Sequence, residues 1–190
     1  MGKKISIDSA TLVNKLFEVI EAKKIFNLNM DKFKILLHPE SYVHAIVKFN
    51  NGLIKILIHD TDMKIPIFNS LYFNTNKSLK TKPLDFKKLN NLKLKNVEPK
   101  QFPSISIIKY LPKYKDTLYE SVLVSANDEL VDLFLKEKIK FSDISKKLIM
   151  IMKLKEFKSK RSRKPLNFNQ ISNLNKYVRL KTRSLCVRSC

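Results

Sequence analysis

The sequence predicts an α/β chain of the α+β kind: a small mixed sheet with a hairpin, followed by an all-α region. Three observations carry this. Apolar residues alternate with period two from Phe33 onward, as a half-buried strand requires. Asn51-Gly52 lies between two such runs and is a strong short-range hairpin signal. Beyond about residue 98 the apolar spacing turns helical and stays so, which predicts a boundary there between residues 1–98 and residues 99–190.

Residues 9–25 give the clearest helix, with Leu12, Val13, Leu16, Phe17 and Ile20 on one buried face. Asp8 and Ser9 can accept backbone hydrogen bonds at its start. Asn14, Glu18 and Glu21 then fall on the opposite face, with Lys15 at its border. The runs FKILLHPE, YVHAIVKF and LIKILIHD read as strands. A two-residue turn at Asn51-Gly52 pairs Asn50 with Leu53 and sets His44 opposite His59. Pro66, in DMKIPIFNSLYF, suits the first turn of a short helix, where a missing N–H is harmless. Residues 74–84 form a polar loop, and LKLKNV is a further strand candidate. The remainder, through SVLVSANDELVDLFLKEKI, FSDISKKLIMIMKLKEF and FNQISNLNKYVRLKTRSL, is helical.

Lys and Arg total 38 against 17 Asp and Glu, a net charge of +21 that attracts phosphate-bearing partners in general. Nucleic acid is not the expected partner, because no recognition module with its aromatic or glycine signature is present. The basic stretch at residues 153–164, KLKEFKSKRSRK, reads as a solvated charge run. Cys186 and Cys190 make half a metal site at best and read as free thiols in a reducing compartment. No apolar stretch approaches the roughly 20 residues a membrane span needs, and no secretory leader is recognisable. A cytoplasmic, soluble chain is the expectation.

Two glycines, Gly2 and Gly52, cannot build a three-glycine dinucleotide fingerprint. No nucleophilic triad or phosphate-cradling glycine loop is present either. The candidate site is the stretch from Asp8 to Glu18. A helix start with the Ser9 hydroxyl nearby and Lys15 in its first turns offers donors to a phosphate. Asn14 and Glu18 stand one turn apart, so both reach one ligand, and a hard divalent cation would take the carboxylate oxygen. A capped amphipathic helix with ordinary polar decoration explains the same spacing. A His44–His59 metal pair lacks a third ligand nearby in sequence.

The stretch GKKISIDSATLVNKLFEVIEA resembles the active-site helix of the 1-deoxy-D-xylulose 5-phosphate reductoisomerase family. The likeness continues in order through HPESYVHAIVKF, NGLIKILI, DMKIPI, KPLDF, FPSISI and SANDELVDLFLKEKIKFSDI. It implies that residues 1–98 are the later portion of a catalytic domain and residues 99–190 a C-terminal helical domain, with the NADPH-binding domain absent. It implies an NADPH-dependent enzyme that uses magnesium or manganese to rearrange and reduce 1-deoxy-D-xylulose 5-phosphate to 2-C-methyl-D-erythritol 4-phosphate in non-mevalonate isoprenoid synthesis, and a homodimer. Ser9, Asn14 and Lys15 match positions that hold the sugar phosphate, and Glu18, at the same site, matches one of three carboxylates on the metal. Met63 matches a position on the cavity wall and is assigned to cofactor contact. Leu16 stands where a glycine is common, and His59 where a small residue is usual, which argues against the histidine metal pair. The resemblance implies a fragment, inactive alone. The +21 charge and lost glycines support a second reading, a repurposed non-enzymatic basic binding module.

Overall fold

The computed structural model describes residues 2–113 and 116–187. They form two compact units: one comprises the residues up to Ile35 and those from Val97 onward, the other Leu36–Asn96.

The first unit is helical. Helices α1 (Lys3–Ala10) and α2 (Val13–Phe26) open it, and α5 (Leu118–Leu135), α6 (Phe141–Met152), α7 (Lys155–Lys158) and α8 (Phe168–Val187) complete it. Helix α5 lies at its centre, buried on nearly all sides through Leu118, Tyr119, Val122, Leu123, Ala126, Leu130 and Leu133. Polar positions are enclosed along with the apolar ones, Glu120, Asn127 and Glu129 among them, and α6 and α8 both pack on this helix. Thr117 caps α5 by accepting the Tyr119 N–H. Val13, Leu16 and Ile20 of α2 join the same core cluster as Leu123, Ile144, Leu148 and Phe157.

That packing explains why the contact boundary is not a single cut. The chain re-enters the helical unit at Val97, close to the composition shift near residue 98. Residues up to Ile35 belong to the same unit, because the apolar face of α2 is buried in its core.

The N-terminal stretch departs from the single helix expected over residues 9–25. Lys3–Ala10 is itself helical, so Asp8 and Ser9 fall in its last turn and cap nothing downstream. The break follows at once. Thr11 closes α1 with its N–H and hydroxyl on the Ile7 carbonyl, and Leu12 turns left-handed at φ 58°. Such a conformation is costly for a residue with a Cβ and persists only where surrounding structure enforces it. The buried face was read correctly: Val13 and Leu16 are fully enclosed, and Glu18 and Glu21 face solvent.

The second unit holds β1 (Leu36–Leu37), β2 (Val43–Lys48), β3 (Ile54–Ile58) and β4 (Lys95–Asn96), with α3 (Lys64–Leu71) and α4 (Phe86–Asn90). The strands pair as β1–β4 and β2–β3, both antiparallel, so the described residues form two small antiparallel sheets rather than a mixed one. Pro66 lies in the first turn of α3, as its chemistry allows. Helix α4 was not expected. Asp85 starts it by accepting the N–H groups of Lys87 and Lys88.

The hairpin forms at Asn51-Gly52 but in another register. Phe49 donates to Leu53 across a three-residue loop, and Gly52 takes φ 88°, which only glycine adopts freely. Lys48 therefore faces Ile54, one position away from the expected pairing. A register irregularity between Val43 and Ala45 sets Val43 opposite Ile58, so His44 and His59 are not a register pair, yet their rings stack 3.6 Å apart. Residues 99–117 are also less helical than read: Pro103–Tyr110 is a 3-10 stretch, and regular helix starts at Leu118.

Candidate functional site

The break between α1 and α2 decides where the candidate residues lie. Asn14 and Lys15 occupy the first turn of α2, and Glu18 lies one turn on. The structure brings these three together: Asn14 Nδ2 donates to Glu18 Oε1 and Lys15 Nζ to Glu18 Oε2, each at 2.7 Å. Lys15 and Glu18 are both about half exposed, so the cluster is a solvent-facing donor and acceptor set. Ser9 sits apart, exposed on the last turn of α1, with its carbonyl accepting the Leu12 N–H. Met63 precedes α3 in the other compact unit and is exposed. Leu16, in place of a glycine, is fully buried and so leaves the polar face untouched.

Chemically, the cluster suits an anion and a hard cation. The Lys15 ammonium and Asn14 amide are donors for phosphate oxygens, and Glu18 presents carboxylate oxygens to a divalent ion. One carboxylate does not make a metal site. Among the described residues, no group of three or more His, Cys, Asp and Glu stands where it could hold a metal ion. Glu18 by itself offers a divalent ion a single carboxylate. NADPH finds no glycine cradle, since Gly52 is a hairpin loop residue and Gly2 precedes α1. The His44 and His59 rings are stacked, with His44 Nε2 3.1 Å from the His59 carbonyl, and Cys190 lies outside the described residues. Cys186 is buried, and burial pushes its thiol above the ordinary range.

Polar contacts that the sequence did not disclose surround the break. Asp8, 2 % exposed, accepts from Lys4 Nζ at 2.6 Å and from Asn127 Nδ2 at 2.7 Å. Lys4 also reaches Asp128, which in turn pairs with Arg179 of α8 at 2.7 Å. Burial works against the Lys4 charge, but hydrogen bonds to Asp8 and Asp128, with their negative charges, hold its pKa above the usual lysine value. The buried Ser104 hydroxyl donates to the Thr11 carbonyl. Further along α2, Lys23 donates to Glu120 Oε1 at 2.9 Å, both side chains enclosed.

The described residues thus form two compact units, one of them with a buried helical core and a solvent-facing Asn14–Lys15–Glu18 cluster. Two family models match the chain: the DXP reductoisomerase C-terminal domain over residues 58–181, and the 1-deoxy-D-xylulose 5-phosphate reductoisomerase C-terminal domain over residues 1–26. The chain belongs to the DXP reductoisomerase family. It is 60 % identical over 187 residues to the 1-deoxy-D-xylulose 5-phosphate reductoisomerase of Pelagibacter ubique, covering 98 % of this chain and 48 % of that protein. The enzyme of the same name from a Sulfurihydrogenibium species is 41 % identical over 157 residues, 83 % of this chain and 41 % of the relative. A crystal structure of DOX-P reductoisomerase with fosmidomycin and magnesium superposes with a TM-score of 0.87 at 30 % identity, covering 98 % of this chain and 47 % of that one. The Zymomonas mobilis enzyme in complex with NADPH gives 0.80 at 29 % identity, covering 96 % and 47 %. The chain spans about half the length of the curated relatives it matches.

Proposed function

We propose that this chain is the C-terminal part of a 1-deoxy-D-xylulose 5-phosphate reductoisomerase, and that α2 carries one wall of its sugar-phosphate and metal site. The observation that supports it best is the convergence of Asn14, Lys15 and Glu18 within the segment matched by the reductoisomerase model. Lys15 supplies a point charge for the phosphate, and Ser9 and Asn14 orient it. Glu18 offers one carboxylate to magnesium or manganese, and the bound metal would polarise the substrate's oxygens. The remaining ligands and nearly all of the NADPH contacts come from protein beyond these residues, with Met63 on the cavity wall. In this reading residues 1–98 are the later portion of the catalytic domain and residues 99–190 the helical domain. The working assembly is a cytoplasmic homodimer. No described helix is long and apolar enough to cross a membrane.

The test is a chimera in which these 190 residues replace the matching half of the Pelagibacter relative. The chimera consumes NADPH only when 1-deoxy-D-xylulose 5-phosphate and magnesium are present, and the chain alone does not. Lys15→Ala lowers its kcat/KM about 10- to 100-fold, the loss expected for one charge-assisted contact. Glu18→Gln raises the magnesium concentration needed for half-maximal rate. A folded chimera without substrate-dependent turnover overturns the proposal.

A further inference from the structure

The α1–α2 segment is held at two points that bracket the candidate site, one by α5 together with the 3-10 stretch Pro103–Tyr110, the other by α5. Near its start, Asn127 Nδ2 donates to Asp8 Oδ1 at 2.7 Å, and Ser104 donates to the Thr11 carbonyl at the break itself. Towards its end, Lys23 pairs with Glu120 at 2.9 Å. Glu120 and Asn127 are seven residues apart on α5, two helical turns, so both project from one face about 10 Å apart. Asn14, Lys15 and Glu18 lie between the two anchor points.

Each member is buried: Asp8 is 2 % exposed, Asn127 and Ser104 0 %, Lys23 3 % and Glu120 4 %. Buried polar groups are expensive unless paired, so these contacts tolerate little displacement. Asn127 Oδ1 has no hydrogen-bond partner among the described residues, although it is enclosed. The amide's hydrogen bond to Asp8 is made by its Nδ2 donor. The left-handed Leu12 directly follows Thr11, whose carbonyl accepts from Ser104, and comes four residues after Asp8. A residue with a Cβ holds that conformation only when its neighbours over-determine it.

We propose that Asn127 and Ser104, acting through Asp8 and Thr11, are positioning residues that fix the angle of α2, with Lys23–Glu120 as the second anchor. They touch no ligand. They set the direction in which Asn14, Lys15 and Glu18 face the rest of the site. The catalytic consequence rests on the function proposed above, whereas the conformational one does not.

Two readouts separate these. In the chain alone, Asn127→Leu and Ser104→Ala move the Leu12 carbon chemical shifts away from left-handed values and speed amide exchange over Thr11–Asn14. In the chimera, the same substitutions lower kcat/KM at least about tenfold, since small misplacements of positioned groups carry large rate penalties. Asp8→Asn, which keeps an acceptor for Asn127, retains most of the rate, whereas Asp8→Ala does not. Breaking the exposed Lys136–Asp132 pair elsewhere on the helical unit changes neither readout. If Asn127→Leu fails to fold, Ser104→Ala, which deletes one hydroxyl, decides the matter. Unmoved Leu12 shifts in a folded variant overturn the proposal. An inactive parent chimera defeats the functional reading alone and leaves the shift test standing.

Discussion

Tyr119 shows what a single side chain contributes at the α5 start. Its ring is fully buried, and its hydroxyl donates to the Met152 carbonyl at the end of α6 at 2.6 Å. Burial pushes its pKa up to about 12, against the pull of the nearby Arg161 guanidinium. In the unfolded chain the phenol ionises near its ordinary value of about 10. The folded state therefore holds the proton more tightly, and stability is intact below about pH 10 and lost as pH rises towards 12. Denaturant unfolding of the wild-type chain across that range is expected to lose about 1 to 2 kcal/mol from this group. Tyr119→Phe loses about 1 kcal/mol at neutral pH with the hydrogen bond, and its pH profile between 10 and 12 is flatter. Profiles of equal steepness would show that Tyr119 is not the group that titrates.

Among the elements, α2 was the most legible in sequence and its surroundings the least. Its buried face follows from spacing alone, since Val13, Leu16 and Ile20 recur one turn apart and all are enclosed. Asn14, Lys15 and Glu18 were found for the same reason, being local on one helix. Asp8 was misread as a cap because its partner, Asn127, lies 119 residues away. Glu120 is likewise 97 residues from Lys23, and no local pattern announces a buried ion pair. The hairpin register failed on another ground. Asn51-Gly52 fixes that a turn occurs, yet the same dipeptide serves two- and three-residue loops, which differ by one position. The Lys23–Glu120 pair gives a prediction for α2 as a unit. Glu120→Ala leaves a buried ammonium without its carboxylate and should cost about 3 to 5 kcal/mol in chemical denaturation. The paired replacement of Lys23 by Met and Glu120 by Leu removes both charges and should recover most of that loss. Full loss in the double variant would mean that the pair contributes through geometry rather than through charge.

For the whole molecule, the two units differ in how much of their own apolar surface they bury. The helical unit encloses Leu16, Leu123, Leu130, Ile144 and Ile151 completely. In the other unit the β2–β3 hairpin shows Ile46, Val47, Ile54, Ile56 and Leu57 to solvent, each between 40 % and 57 % exposed. Adjacent strand residues point to opposite faces, so neither face of this hairpin is covered. A lone two-stranded hairpin is marginal in water, and its backbone amides open locally far below the cost of global unfolding. Under the function proposed above, protein beyond these residues would supply the packing partners that the hairpin lacks here. Hydrogen exchange on the chain alone should therefore find the amides of Val43–Lys48 and Ile54–Ile58 exchanging at least about a hundredfold faster than those of α5. In the chimera, where the relative supplies the part of the protein that this chain does not match, the same hairpin amides should slow by a comparable factor while α5 changes little. Equal protection of hairpin and α5 in the isolated chain would show that the strand unit needs no further protein to hold it.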